Sequence, residues 1–276
     1  MNAWIAPREG VKPGSGPVST DWLGFRSVRL NVGEHVLTDA PSGRELGIVL
    51  LSGEVEVSRG GARFALGPRR GPLEDLPHAA YFPEGDRLCV RTRVPSWIAL
   101  AHAEGGAGFE PRRVSPEDLA VEERGEGITG RTVRHILEGP GEAARLLLVE
   151  VITPGGHWSS FPPHRHDEMR PPSRYLLEEA YLFAVAPEGH RALMGVWNDR
   201  GETVAFAPGH GDLVMVRSGY HTVSAAPGSQ LYYLNAMAGP ERVWTPVFQP
   251  GYEHLVTGWG RAPIAHALPE GGPPEP

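Results

Sequence analysis

The chain has 276 residues, of which 36 are glycine and 28 proline, and a formal net charge of −7. The length suits two domains of ordinary size, and Gly and Pro in such number without a collagen-like period predict many turns and short strands, hence an all-β fold. The acidic balance without a basic stripe excludes nucleic acid as a partner, the single cysteine (Cys89) excludes an internal disulfide framework, and with no apolar run near about 18 residues no membrane span is expected.

The N-terminal segment MNAWIAPREG has neither the positive n-region nor the apolar h-region of a signal peptide, so the cytoplasm is the expected location. Residues 1–24 read as an irregular Gly/Pro-rich arm. Phe25–Leu30 alternates in character, Leu46–Leu51 is a continuous apolar run, and Gly53–Val57 alternates with period two. Ser52-Gly53 reads as a turn between the last two. Strands over 79–83, 87–93 and 97–103 follow, and Cys89, between Leu88 and Val90, reads as a buried strand residue. Ser115-Pro116-Glu117-Asp118 predicts a short helix with Ser as N-cap and Pro at its first position. A domain junction is placed there, giving expected domains 1–115 and 116–262 and a frayed Pro/Gly-rich tail 263–276. Further strands are expected at 131–136, 145–153, 176–186, 192–197, 212–216, 221–225 and 231–237. The two halves thus repeat one strand-rich texture, as a duplicated barrel would.

The chemistry concentrates in the second half. Four of the twelve histidines lie in the first 150 residues and eight in the last 126. His164 and His166 are two apart, so on a strand both imidazoles face one side and form a natural chelating pair. Thirteen residues on, one of Glu178 and Glu179 must face the same side; Glu179 shares parity with Tyr181 and Phe183. A Gly211-Asp212 turn, an apolar strand and Gly219-Tyr220-His221 supply a third imidazole. His164, His166 and His221 with one of these two carboxylates suit one divalent ion, and their types do not choose among Zn, Mn, Fe, Co and Ni. HxH, Glu and a distant His after Gly-Asp resemble the two-motif pattern of cupins. In the first half, His35 and His78 have no such partners, so that barrel is expected to hold no metal. His35, His78, His102, His135, His190 and His210 read as solvated or capping residues.

The chain also resembles the bacterial 5-deoxy-glucuronate isomerase family of myo-inositol catabolism, which is related to the 5-keto-4-deoxyuronate isomerases. The resemblance rests on VEERGEG at 121–127 with Arg131, PPHRHD at 162–167, LEEAY at 177–181, GYH at 219–221 and, most specifically, YYLNAMAG at 232–239, continued by Arg242 and Trp244. It departs at Arg217-Ser218 and Thr222, around the third histidine. The resemblance implies a bicupin of two tandem jelly-roll barrels with the metal in the C-terminal one and Glu179 as its carboxylate ligand. It also implies an aldose–ketose isomerisation of 5-deoxy-D-glucuronate to 5-dehydro-2-deoxy-D-gluconate. Tyr181, Tyr233 and Glu178 are then the candidate acid/base groups. Arg174 and Arg242 are candidates for the substrate carboxylate, and Asn235, His157 and His254 for lining the pocket. The expected partner is a small sugar acid, and bicupins suggest a homodimer by analogy. Competing readings are a metal-cupin dioxygenase, an isomerase of a different uronate, and a non-catalytic sugar-binding bicupin.

Overall fold

The computed structural model describes residues 4–5, 18–37, 43–85, 87–106 and 108–258. In chain order the strands are β1 (Trp4–Ile5), β2 (Val18–Ser19), β3 (Gly24–Leu30), β4 (Gly33–Leu37), β5 (Arg44–Arg59), β6 (Ala62–Arg69), β7 (His78–Phe82), β8 (Leu88–Thr92), β9 (Ser96–Glu104) and β10 (Arg112–Val114). Beyond a short 3-10 turn at Pro116–Asp118 come β11 (Ala120–Arg124), β12 (Arg131–Leu137), β13 (Leu147–Pro154), β14 (Trp158–Arg165), β15 (Glu178–Ala186) and β16 (Ala192–Trp197). The last strands are β17 (Thr203–Phe206), β18 (Leu213–Val216), β19 (Tyr220–Ala225), β20 (Gln230–Ala238) and β21 (Val247–Phe248). The expected short helix is that single turn, where the Asp118 carboxylate accepts the Ser115 backbone N–H at 2.9 Å.

The fold is all-β, two jelly-roll barrels in tandem. The first is built on β10-β7-β5-β9-β3-β2, with β6 and β8 joined to the far half of β5 and β4 paired to β8. In the second, a sheet ordered β1-β18-β15-β20-β13-β12-β11 faces one ordered β17-β16-β19-β14-β21. Two expectations need correction. Ser52-Gly53 is no turn: β5 runs through it, and register shifts between Leu50 and Ser52 and between Gly53 and Val55 bend one 16-residue strand from one sheet into the next. The arm is not wholly irregular either, since β1 pairs with β18 of the second barrel, Trp4 opposite Val216. The tail 263–276 lies outside the described residues.

The continuous apolar run in β5 has a physical reason. Ile48 and Leu50 fill the first barrel, while Val49 and Leu51 pack between the barrels against residues such as Leu148, Leu182 and Leu234. A strand buried on both faces loses its polar alternation. β8 is covered on one face only, so Leu88 and Val90 turn inward and Cys89, between them, is exposed rather than buried. Likewise β20 turns Tyr232, Leu234 and Ala236 to the interface and Leu231 and Tyr233 into the second barrel. Among the described residues no helix is long and apolar enough to cross a membrane.

Candidate metal centre and cleft

β14 and β19 are paired with His164 opposite His221, and β14 ends at Arg165, one residue before His166. The Asp167 carboxylate accepts the Gly219 backbone N–H at 2.8 Å, which ties the HRHD segment to the turn that presents His221. From the facing sheet β15 supplies Glu179. His164, His166 and His221 form a buried cluster of ligand-competent nitrogens. Glu179 Oε2 lies 2.9 Å from both His166 Nε2 and His221 Nε2.

The tautomers follow from what holds each ring. His164 Nδ1 faces the Pro162 carbonyl at 3.0 Å, His166 Nδ1 that of Leu177 at 2.7 Å, and His221 Nδ1 that of Gly219 at 3.2 Å. A carbonyl accepts and cannot donate, so each Nδ1 carries a proton, and each Nε2 is the ring atom turned to the shared point where a metal would bind. His221 Nε2 is buried and, despite its closeness to Glu179, makes no well-formed hydrogen bond. Three convergent Nε2 atoms beside a carboxylate form a donor set that fits a divalent ion. Burial, with the charges of His221 and His166 beside it, pushes the His164 imidazole well down, towards the neutral, ligating form. Burial works to raise the Glu179 carboxyl, but the charge of His221 and the hydrogen bond from His166 outweigh it and hold Glu179 well below the usual carboxylate range. Asn235 Nδ2 donates to Glu179 Oε1, which fixes the carboxylate's rotation.

A cleft of about 460 Å³, counting its open mouth, opens onto His164 and Glu179. His164, Glu179, Tyr233 and Asn235 line it, together with Arg124, Arg131, Glu138, Ser160, Trp244 and apolar residues of β12, β13 and β20. Ser160 has φ +46, a left-handed conformation that costs a non-glycine residue about 1 kcal/mol. It sets the Ser160 hydroxyl 2.9 Å from the Tyr181 phenol and 3.5 Å from that of Tyr233. Burial, reinforced for Tyr181 by the nearby Glu179 charge, pushes the Tyr181 phenol well up; burial also raises Tyr233. Both are proton-bearing groups near neutral pH, suited to donate hydrogen bonds rather than to act as bases.

Other expected site residues lie elsewhere. Glu178 points to the opposite side of β15, as strand alternation requires, where its carboxylate accepts from the Thr20 hydroxyl, the Trp22 backbone N–H at 2.9 Å and Arg217 at 3.0 Å. Arg174 is bound to Glu168 at 2.6 Å, away from the cleft lining. Arg242 spends its donors on the carbonyls of Leu146, Gly139 and Leu137 at 2.8, 2.8 and 3.1 Å. His157 Nδ1 meets the Gly130 carbonyl at 2.9 Å, and His254 is exposed; neither lines the cleft. His102 is buried rather than solvated, and His135 is held between two carboxylates. The cleft's cations are Arg131 and Arg124. Arg131 is buried, its guanidinium held by the carbonyls of Thr129 at 2.8 Å and Phe161 at 3.2 Å; burial lowers it to about 10, so it stays charged. Sequence reasoning missed both as ligands. The signal available was their place in and just after VEERGEG, a dense part of the family resemblance with no motif chemistry of its own.

The comparisons with known proteins agree with this architecture. The KduI/IolB family model matches residues 12–255. The 5-deoxy-glucuronate isomerase of Geobacillus thermodenitrificans is 35% identical over 245 residues, 87% of this chain and 89% of the relative. That of Listeria innocua is 34% identical over 265 residues, 93% and 96% of the two chains. The crystal structure of an IolB-like protein from Salmonella typhimurium superposes with a TM-score of 0.85 at 29% identity, over 91% of this chain and 98% of that one. An oxalate decarboxylase from Lactobacillus farciminis, at TM-score 0.58 and 11% identity over 83% and 80%, shares the fold. A family match over most of the sequence, with relatives aligned over nearly their whole length, makes this chain a member of the KduI/IolB family, among isomerases.

Proposed function

We propose that the protein is a metal-dependent isomerase that interconverts 5-deoxy-D-glucuronate and 5-dehydro-2-deoxy-D-gluconate. The observation that carries this is the cleft itself. His164 and Glu179 line it, in one cluster with His166 and His221, and Arg131 and Arg124 border the same space. A sugar acid has matching ends, a carbonyl with a neighbouring hydroxyl at one and a carboxylate at the other. His164, His166, Glu179 and His221 would hold one divalent ion, which supplies Lewis acidity to a carbonyl and its neighbouring hydroxyl.

The protein's own groups do the rest. Arg131, held rigidly by two carbonyls, receives the substrate carboxylate with Arg124 beside it. Tyr233, aligned by Ser160, donates a hydrogen bond to a sugar oxygen, while the buried Tyr181 holds the Ser160 hydroxyl in place. Val133, Val149, Val151 and Met237 exclude water from the carbon that loses its proton. The reaction moves a proton from the hydroxyl-bearing carbon to the former carbonyl carbon, with no net oxidation. Elemental analysis of protein purified without an affinity tag should find near one equivalent of metal per chain, and little in a His164→Ala/His166→Ala variant. NMR in D₂O should show metal-dependent conversion with deuterium entering the new CH₂. Wild-type protein without bound metal, or with metal but no conversion, would sink the proposal.

A further inference from the structure

The proposed reaction needs a group that takes a proton from carbon and returns it. Among the described residues lining the cleft, the titratable groups are Arg124, Arg131, Glu138, His164, Glu179 and Tyr233. The arginines do not accept protons near neutral pH. Glu179 and His164 belong to the metal cluster, and Tyr233 keeps its proton. Glu138 is left.

Glu138 is buried, and its carboxylate is held by His135, the first link of a chain of side chains. His135 Nδ1 bonds its Oε2, and His135 Nε2 meets Glu122 Oε2 at 3.2 Å. Glu122 is in turn gripped by Arg124 through Nε at 3.1 Å and Nη2 at 2.7 Å. Its backbone is clamped as tightly. Arg242 donates to the carbonyls on either side, Leu137 and Gly139, and Glu142 Oε2 accepts the N–H of Glu138 at 2.9 Å and of Gly139 at 2.7 Å. The chain Glu138–His135–Glu122–Arg124 begins and ends in the cleft and runs behind its wall between. The sheet register sets its height. Leu137 pairs with Leu148, and the next residue of β13, Leu147, pairs with Met237, itself opposite Glu179. Glu138 therefore stands at the level of the metal ligands, whereas Arg131 lies at the other end of β12.

We infer that Glu138 is the catalytic carboxylate that carries the proton between the two carbons, and that His135 is the residue that positions it. This rests on the isomerase reading. The Glu138 carboxylate removes the proton from the hydroxyl-bearing carbon. That C–H pair becomes the new C=C bond, and the carbonyl π pair moves to its oxygen, giving an enediol-type intermediate. The protonated Glu138 then returns the proton to the former carbonyl carbon while the new carbonyl forms at its neighbour. Two protons move, one from carbon to carbon through Glu138 and one from the hydroxyl oxygen to the former carbonyl oxygen, and none is gained or lost. His135 keeps the carboxylate aimed through its Nδ1 and is itself drawn towards its charged form by Glu138 and Glu122. The charged or titratable groups around it are Glu122, Arg124, His135, Glu142 and Arg242.

The test compares wild type, Glu138→Gln, His135→Gln and Tyr181→Phe in metal content, kcat and solvent deuterium incorporation with 5-deoxy-glucuronate. Glu138→Gln should keep its metal and lose about 10²-fold or more in kcat, with deuterium incorporation falling in parallel. His135→Gln should keep KM within a few-fold and move the acidic limb of the kcat/KM profile to higher pH. Glu138→Gln within threefold of wild type, or a loss confined to Tyr181→Phe, overturns the inference and leaves the isomerase intact. If Glu138→Gln does not fold, an unshifted profile in His135→Gln overturns it. A wild type that binds metal but converts nothing fails the isomerase reading itself, and the role falls with it.

Discussion

Asn235 is a small polar side chain with a large consequence. Its Nδ2 holds one oxygen of Glu179 while the other faces His166 and His221. An Asn235→Leu change keeps the volume and removes the donor. Metal affinity should fall about 10–100-fold, read by competition against a chromogenic chelator; an unchanged Kd would detach Asn235 from the centre. His135 gives a test of sign. Burial works to lower its imidazole, but the hydrogen bonds and charges of Glu138 and Glu122 outweigh it, and the net direction is up. A raised folded-state value contributes stability that is full below the unfolded value of about 6.5 and is lost as pH rises through the folded one. The Tm deficit of His135→Gln relative to wild type should therefore be widest in mildly acidic buffer and narrow towards pH 9. A deficit that grows with pH would refute the pairing.

At the scale of the element, β5 and β15 teach the most. Gly53 sits at φ +95, and a Cβ there would meet the Pro95 carbonyl oxygen at 2.8 Å as well as Ser96. Only glycine lets β5 bend there and serve two sheets. Gly53→Ala should cost about 2 kcal/mol or more, measured as a lowered urea midpoint at unchanged m; a loss below 0.5 kcal/mol would mean the strand can bend elsewhere. This bend was hidden from the sequence because a Ser-Gly pair signals a turn and a bulge alike. β15 was legible for the opposite reason. Period-two alternation alone set Glu179, Tyr181 and Phe183 on one face, and the strand obeys it. Three of the four expected ligands needed only spacing, since HxH and the GYH turn are short-range facts. The arginines of the cleft were not legible in that way. Whether a guanidinium borders a pocket depends on how β11 and β12 meet distant residues: Arg242 reaches the carbonyl of Leu137, more than a hundred positions away, and Arg131 stands in the cleft where Arg242 was expected.

At the scale of the whole molecule the question is what holds the first barrel to the second. The apolar interface is non-directional, and it is pinned by two buried carboxylates. Glu45 of β5 accepts the backbone N–H groups of Ala144, Arg145 and Leu146 at 2.8, 2.7 and 2.6 Å. Glu150 of β13 takes both terminal nitrogens of Arg69 from β6 at 2.8 and 3.0 Å, with the Tyr232 hydroxyl at 2.8 Å and Arg134 at 3.3 Å. The Arg69 and Glu150 side chains are fully buried. Burying such a pair gives little net stability over an apolar pair, but removing one partner strands the other charge. Arg69→Met should thus cost about 3 kcal/mol or more, even though Tyr232 and Arg134 still reach Glu150. Arg69→Met/Glu150→Leu should recover much of that loss, though not all, since Tyr232 then lacks this acceptor and Arg134 keeps only the carbonyls of Pro72 and Asp75. Denaturant unfolding of the two single variants and the double would give the coupling directly. Single variants costing under 1 kcal/mol, or a double equal to their sum, would show that water reaches this pair and that the apolar faces alone join the barrels. A strong coupling would mean that the pair specifies how the barrels seat, and with that the orientation of β13, whose opposite face lines the cleft.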